Sequence, residues 1–315
     1  MTTRIAVIDI GTNSTRLLIA DVDPTTKHVT EIERRTTVTR LGQGVDHTGV
    51  LAPEAIARVE AAVAEYRALI DANDVDAITG VLTSAVRDAR NGAEFTTKIN
   101  DAYIINARTI TGDEEARLTY LGATDGRPSQ DGAQAQRVVI DVGGGSTELV
   151  VGHGATVDFH VSTQAGVVRQ TERFLRSDPP RPEELQQLQA EAEEIFASAV
   201  PPATRQAVGH GIAVAGTATS CAAILQELDP YDPAKVHGFR LLRAQCEMLL
   251  PRLAAMTTEQ RRHVKGLHPD RAQAIVAGVI LLVEAMRCFD LAEVEVSEHD
   301  ILRGAALDRA TATAG

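Results

Sequence analysis

Aromatic residues are scarce in this 315-residue sequence, which has no tryptophan, six phenylalanines and four tyrosines. Proteins that grip single-stranded nucleic acid rely on aromatic rings for base stacking, so this composition argues against that class. Positive charge is also in deficit, because 43 acidic residues against 31 Lys and Arg give a net charge of −12. A nucleic-acid-binding or membrane-surface protein needs a basic face. The balance still permits an anionic substrate that is held at one local site.

Cysteine is scarce, and the sequence shows no long apolar run and no leader pattern. Cys221, Cys246 and Cys288 are far apart and form no CxxC pair, which argues against a zinc site or a disulfide framework and favours small buried hydrophobes. The longest apolar run in the C-terminal half, 274–285, is too short to span a bilayer. The first residues lack the charged and apolar regions of a signal peptide. We therefore expect a cytoplasmic protein that binds neither nucleic acid nor membrane.

Three common catalytic signatures are absent too. The sequence contains no GxxxxGK[ST], no HExxH and no GxSxG pattern, which argues against a P-loop enzyme, a zinc protease and a serine hydrolase of the nucleophile-elbow type. The histidines are scattered, so we interpret them as surface or core residues.

What the sequence does contain is an alternation of β-branched strands and amphipathic helices, which is typical of an α/β protein. Its length suggests about two domains of about 150 residues each. We predict strands at 4–10, 16–21, 29–38, 77–83, 103–109, 137–141, 148–152, 157–162, 212–215 and 293–296. We predict helices at 53–72, 94–102, 113–123, 166–176, 182–199, 241–255, 271–288 and 300–311. The polar segment 124–136 predicts a linker between a first domain, residues 1–126, and a second, residues 137–299.

A unit made of a strand, an aspartate, a glycine turn and a second strand occurs twice, at 9–14 and 141–148, and suggests two similar halves. A third Gly-Thr segment, 215–220, joins a strand to a helix. Glycine lets backbone amides approach an anion closely, Ser and Thr add donors, and the aspartate can hold a divalent cation. One such segment alone would fit a tight hairpin with a capping Asp. Their repetition favours a site for phosphate and Mg²⁺.

The segment 111–118 carries three acidic residues at a predicted helix start. Thr111 and Glu114 form a capping-box pattern, which would leave Glu115 free in the first turn. A helix N-terminus favours an ionised carboxylate, and this suits a base that accepts a proton from water. The simpler alternative is that acids are common in first turns. In a further segment, 83–88, Ser84 and Arg87 either contact phosphate or face solvent.

Several of these segments together resemble the Ppx/GppA family of exopolyphosphatases and guanosine pentaphosphate phosphohydrolases. The motifs that carry the resemblance run nearly end to end and include VIDIGTNSTRLLIAD, TSAVRDARN, TGDEEARLTYLGA, VVIDVGGGSTELVVG, AGVVRQTERF, VAGTATSCAAI, KVHGFRL and GLHPDRAQAIVAG. The family implies an α/β fold of the actin-like ATPase superfamily, in which two ribonuclease-H-like domains flank a cleft. The last helix, about 300–311, would then pack back on the first domain. Family members are commonly homodimers.

The resemblance also implies a metal-dependent hydrolysis of a terminal phosphoanhydride. Glu115 would orient or deprotonate the attacking water, with Asp141 and Glu148 as the other catalytic acids. Asp9, Asp141 and Glu148 would hold Mg²⁺ or Mn²⁺. The residues expected to contact phosphate are Gly11, Thr12, Asn13, Ser14, Arg87, Gly143, Gly144, Gly145, Ser146 and Thr147. Those expected to contact the rest of the polyphosphate or guanosine polyphosphate are Arg16, Gly216, Thr217 and Arg271.

Two departures from the family pattern concern the substrate. Gln273 stands where the family often has an acid after Arg-Ala. A family role that depends on a carboxylate at this position therefore loses support in this sequence. The sequence stops at residue 315, without the extra C-terminal helical region of longer members, so we expect a preference for short chains or nucleotides. The leading expectation is an exopolyphosphatase. The alternatives are a pppGpp 5′-phosphatase, a guanosine-polyphosphate-binding regulator with weak hydrolysis, and a kinase of the same superfamily with an adenosine pocket near 215–220.

Overall fold

The strands and helices come from a computed structural model that describes residues 2–127 and 136–313. Strands β1 to β11 are Thr3–Ile10, Ser14–Val22, Val29–Val38, Ala77–Leu82, Ala107–Thr109, Gln136–Val142, Thr147–His153, Thr156–Thr163, Val208–Val214, Arg240–Leu242 and Glu293–Val296. Helices α1 to α14 are Val45–Thr48, Pro53–Asp71, Ser84–Asp88, Gly92–Tyr103, Gly112–Thr124, Val167–Phe174, Pro182–Ala199, Pro202–Ala207, Ala215–Leu225, Pro233–Val236, Arg243–Ala254, Thr258–Arg261, Ile275–Cys288 and Ile301–Thr313. A 3₁₀ turn spans Pro269–Arg271.

The chain divides into two compact units. The first combines the residues up to Arg127 with those from His299 onward, and the second lies between them and ends at Glu298. Helix α14 therefore belongs to the same unit as the first five strands. The predicted linker at 124–136 lies largely outside the described residues; helix α5 ends at Thr124 and strand β6 begins at Gln136.

The first unit is built on a five-stranded sheet of order β3-β2-β1-β4-β5. Strands β1, β2 and β3 form an antiparallel meander, while β4 and β5 continue in parallel with β1. Side chains alternate across the buried strand β1: Ile8 packs in a core with helix α2, and Val7 packs in another with helix α14. Because both faces of β1 are covered, its sequence is a continuous apolar run up to Asp9.

The second unit repeats this arrangement in a six-stranded sheet of order β10-β11-β9-β6-β7-β8. Strands β6, β7 and β8 are again an antiparallel meander, and β9 runs parallel to β6. Helix α13 is buried over nearly its whole length, which explains why its sequence is apolar on every side. The apolar run 274–285 is thus a core helix. No helix among residues 2–127 and 136–313 is long and apolar enough to cross a membrane.

Three predicted elements differ from the structure by four residues at one end. The predicted strand 103–109 is only Ala107–Thr109, because Ile104 and Asn106 adopt positive φ after helix α4 and delay the strand. The predicted strand at 212–215 is in fact Val208–Val214: it begins four residues earlier, and it stops at Val214 because Ala215 already opens α9. The predicted helix at 271–288 begins at Ile275, after the 3₁₀ turn.

The cysteines are free thiols in this structure. Cys221 and Cys246 are fully buried in the core of the second unit, as predicted for small hydrophobes, and Cys288 is half-buried.

Candidate active site

Two buried carboxylates flank the glycine turn of the second unit. Asp141 and Glu148 are direct partners across the antiparallel pair β6–β7, which places their side chains on one face of the sheet. Their residues are only 9% and 1% exposed, respectively. The Ser162 hydroxyl donates to Glu148 Oε1 at 2.8 Å. Like charges directly opposite each other are destabilising, so this pair suits a position beside a cation.

The turn between the two carboxylates is closed by its own backbone and has a glycine at position 143. The Gly143 amide donates to the Ser146 carbonyl at 3.0 Å and closes the turn. A Cβ at Gly143 would lie 3.1 Å from that carbonyl and 3.9 Å from Glu148 Oε2. A side chain at position 143 would therefore occupy space beside the carboxylate. Thr147, also predicted to contact phosphate, donates its hydroxyl to the Ala165 carbonyl at 2.5 Å and is engaged within the unit.

The first unit contains an equivalent turn at residues 11–14, but there the aspartate is paired across the strands with an arginine. The Gly11 amide donates to the Ser14 carbonyl at 2.9 Å, and Asp9 is paired across β1–β2 with Arg16. Arg16 thus stands where the second unit has Glu148. Its Nη2 lies 2.6 Å from Asp9 Oδ2, and its Nη1 donates to Asp300. Sequence reasoning expected Arg16 at the substrate and missed both internal carboxylate partners, one of which is 284 residues away.

Asp9 and Asp300 share this guanidinium, but their environments differ. Burial raises the pKa of Asp9, aided by the nearby Asp300 and opposed by Arg16. Burial would also raise the pKa of Asp300, but Arg16, Arg34 and the Leu302 amide hold it below its ordinary value. Asp9 Oδ1 is buried and has no hydrogen-bond partner in the structure. An unsatisfied carboxylate oxygen is costly, and a cation or a ligand donor would satisfy it.

Glu115 is buried at the start of helix α5 and paired with Arg87. The Thr111 hydroxyl accepts from the Glu114 amide at 3.2 Å, as predicted for the cap. The Glu114 carboxylate, however, pairs with Arg108 at 2.6 Å instead of completing the capping box. The expectation that Glu115 is left free is wrong, because Arg87 Nη1 donates to Glu115 Oε2 at 3.0 Å. A helix N-terminus and a guanidinium are both favourable neighbours for a carboxylate.

The five-residue helix α3, which sequence reasoning missed, brings these groups together in the first unit. Its first residue, Ser84, shares a 2.9 Å hydrogen bond with the Thr12 hydroxyl of the glycine turn. Its fourth, Arg87, reaches Glu115 and also donates to the Ile110 carbonyl at 3.1 Å. One short element thus connects the first turn to the predicted base.

The third predicted segment opens helix α9 in the second unit. Arg271 Nη1 donates to the Gly216 carbonyl at 2.7 Å and to Ser220 Oγ at 3.1 Å. A Cβ at Gly216 would lie 2.7 Å from Arg271 Cζ, so the glycine is needed for this contact. The predicted residues Gly216 and Arg271 therefore pack on each other. Thr217 is buried on the same turn, facing Gly278.

Sequence reasoning missed Tyr231 and Glu298 beside this turn. The Tyr231 hydroxyl donates to the Glu298 carboxylate, and Thr219 and Arg271 lie close enough to influence it. Burial and the neighbouring Glu298 raise the pKa of Tyr231. Neither residue belongs to a recognisable motif, so no sequence signal pointed to them.

The residues present fit a magnesium ion that is held partly by substrate. Among the residues that the structure describes, no group of three or more His, Cys, Asp or Glu side chains is arranged to hold a metal. Asp141 and Glu148 nevertheless supply two carboxylates on adjacent strands. Mg²⁺ is commonly bound by one or two carboxylates together with waters and substrate phosphates. The donor set therefore matches a cation that binds with phosphate.

Comparison with known proteins agrees with this fold. The Ppx/GppA phosphatase family matches residues 18–310. Exopolyphosphatase 2 of Mycobacterium tuberculosis is 39% identical over 98% of this chain and 99% of its own length. The crystal structure of the Aquifex aeolicus member of the Ppx/GppA family is 30% identical, covers 100% of both chains and has a TM-score of 0.82. The crystal structure of an exopolyphosphatase-like protein is 33% identical in sequence and has a TM-score of 0.91. The match covers 99% of this chain and 100% of that one.

The predicted fold class is confirmed by these neighbours and by the repeated sheet order of the two units. Both units have the α/β architecture of the actin-like ATPase superfamily, and the similarity extends over the whole chain. The chain therefore belongs to the Ppx/GppA phosphatase family.

Proposed function

We propose that this protein is a metal-dependent exopolyphosphatase that hydrolyses the terminal phosphoanhydride of inorganic polyphosphate and releases orthophosphate. The observation that carries the proposal is the buried pair Asp141 and Glu148 on either side of a glycine turn. Such a site pairs anion-binding amides with carboxylates that attract a cation. The name of the Mycobacterium tuberculosis relative supports the choice of polyphosphate.

In this proposal each residue acts by position and charge. The amides of residues 144–146 bind the terminal phosphate, and Asp141 and Glu148 hold Mg²⁺ or Mn²⁺. The ion would neutralise phosphate charge as the bond to the leaving phosphate breaks. Glu115 orients the attacking water and accepts its proton, while Arg87 holds the Glu115 carboxylate in place. In-line attack by water requires no covalent intermediate.

The proposal extends to the setting of the enzyme. We propose that it works in the cytoplasm as a homodimer, in keeping with what the family resemblance implies. Guanosine polyphosphates are the second candidate substrate class, since the family includes guanosine pentaphosphate phosphohydrolases.

The decisive experiment measures phosphate release by wild type and Glu115→Gln with polyphosphate, pppGpp and ATP. We expect polyphosphate to be the best substrate and Glu115→Gln to lower its turnover by about 100-fold or more, the contribution of a general base. Glu114→Gln is the matched control, because Glu114 is the adjacent acid and pairs with Arg108 instead. Unchanged turnover in Glu115→Gln would defeat the mechanism. Phosphate transfer from ATP to an acceptor, without polyphosphate hydrolysis, would indicate a kinase.

A further inference from the structure

The segment that follows strand β8 supports the glycine turn of the second unit from behind. The Val167 amide donates to the Gly143 carbonyl at 2.9 Å, and the Val168 amide donates to the Gly144 carbonyl at 2.8 Å. Arg169 Nε donates to the Gly145 carbonyl at 3.0 Å. Three consecutive carbonyls of the turn therefore point toward the start of helix α6.

This arrangement fixes the direction of the amides as well. A trans peptide is planar, with its C=O and N–H pointing in opposite directions. Because the carbonyls of 143, 144 and 145 face α6, the amides of 144, 145 and 146 face away from it. Within the described part of the chain, these three amides make no backbone hydrogen bond. They form the kind of concave donor set that binds an anion.

The fit between the two segments is close. A Cβ at Gly166 would lie 2.2 Å from the Gly145 carbonyl carbon and 2.3 Å from the Gly144 oxygen. No side chain is tolerated at 166 without moving the turn, so the glycine of the AGVVR motif is explained by contact with the phosphate turn.

The first unit has the same support at equivalent positions. The Gly42 amide donates to the Thr12 carbonyl at 2.8 Å, and the Arg40 amide donates to the Asn13 carbonyl at 2.9 Å. These donors follow strand β3, as Val167 and Val168 follow β8. The backing of a turn by the segment after the third strand is thus a repeated device of this fold.

We infer that Arg169 is a positioning residue of the phosphate turn, one that holds the Gly145–Ser146 peptide with its N–H directed at the terminal phosphate. The inference rests on the proposed function, in which that turn binds phosphate. Among the described donors behind the turn, Arg169 Nε belongs to a side chain, whereas the amides of 167, 168 and 169 belong to the backbone. A substitution at position 169 can therefore remove this hydrogen bond to the Gly145 carbonyl and leave the backbone donors in place.

The chemistry of glutamine gives a sharp test. Gln Nε2 is attached to Cδ, as Arg Nε is, so Arg169→Gln keeps an N–H donor at the same position along the side chain and removes the charge. Arg169→Met keeps the stem and removes the donor. Matched controls are Arg173→Gln and Arg173→Met, since Arg173 is an exposed residue of the same helix and pairs with the half-buried Glu191 at 3.2 Å.

The experiment measures kcat and KM for Mg²⁺ and polyphosphate, together with the thermal midpoint of each variant. We expect Arg169→Met to lower kcat/KM about tenfold, the effect of one charge-assisted hydrogen bond. Arg169→Gln should stay within about threefold of wild type, as should both Arg173 variants. Equal loss in Arg169→Gln and Arg169→Met would overturn the inference, because it would indicate a role for the charge. Wild-type kinetics in Arg169→Met would overturn it too.

A second measurement separates this inference from the proposed function. Calorimetric binding of orthophosphate with Mg²⁺ is compared between wild type, Arg169→Met and Arg169→Gln. If wild type releases no phosphate from polyphosphate, the proposed function fails, while weaker orthophosphate binding in Arg169→Met alone would still support the positioning role. Equal orthophosphate affinity in all three proteins would contradict it.

Discussion

At the scale of single residues, Arg16 occupies the position in the first unit that Glu148 occupies in the second. In the first turn the charge of Arg16 is therefore paired with Asp9 and Asp300, whereas the second turn presents an acidic pair. The motifs that hold these residues were visible in the sequence because glycine and aspartate follow an apolar strand in each. Their partners were not visible, because Asp300 is 284 residues from Arg16 and reaches it only through packing.

The ion pair between Arg16 and Asp300 leads to a prediction about stability. At neutral pH we expect Asp300→Asn to lower the free energy of unfolding by about 3 kcal/mol, the cost of breaking a buried ion pair. The folded-state pKa of Asp300 is lowered, so its contribution is present above the unfolded pKa and is lost as pH falls through the folded value. The difference between wild type and variant should thus narrow below about pH 4.

Urea unfolding at several pH values measures this difference. Asp308→Asn is the control, because Asp308 lies on the same helix and forms an exposed pair with Arg117 at 2.9 Å. It should change the free energy of unfolding by less than about 1 kcal/mol. A pH-independent difference for Asp300→Asn would show that its charge is not what stabilises the fold.

At the scale of elements, helix α3 links the first turn to Glu115. We expect Arg87→Met to lower polyphosphate turnover by about tenfold or more, because Glu115 loses the partner that fixes it. In the double variant with Glu115→Gln, the fold-loss of turnover should be smaller than the product of the two single fold-losses, since both changes affect one ion pair. A double-mutant cycle on kcat/KM measures the coupling. Strictly multiplicative losses would mean that the two residues act independently.

Helices α5 and α14 also act as a pair, in contact through two glycines. A Cβ at Gly122 would lie 1.9 Å from the Asp300 carbonyl oxygen, and one at Gly304 would lie 1.8 Å from the Leu118 oxygen. Glu115 lies in the first turn of α5 and Asp300 precedes α14, so this contact relates two site residues. Helical periodicity predicted both helices, but it could not reveal their close approach.

Adding a methyl group at this contact should force the helices apart. We expect Gly304→Ala to lower the free energy of unfolding by about 1–3 kcal/mol, the usual cost of overpacking. Urea unfolding compares it with Thr311→Ala, a change at an exposed position of the same helix. A stabilised Gly304→Ala, as expected from helix propensity alone, would contradict the packing argument.

At the scale of the whole molecule, the net charge of −12 bears on the proposed metal dependence, because acidic groups repel an anionic substrate. We expect EDTA to abolish phosphate release and Mg²⁺ to restore it, because Asp141 and Glu148 would otherwise repel the phosphate.

Glu148→Gln should shift the Mg²⁺ concentration needed for half-maximal activity upward by about tenfold or more. Titration of activity with Mg²⁺ provides the measurement, and full activity in EDTA would refute metal dependence.

The position of helix α14 in the first unit affects how the protein is made. The core that contains Ile5 and Val7 is completed by Leu302 and Ala306, so one face of the first sheet stays uncovered until the last helix leaves the ribosome. Roughly 170 residues separate the two parts of this unit, a delay of about 10–35 s at ordinary elongation rates. The second unit is synthesised as one continuous segment and can fold first. Until α14 has been made, the first sheet therefore leaves apolar residues such as Ile5 and Val7 open to intermolecular contact.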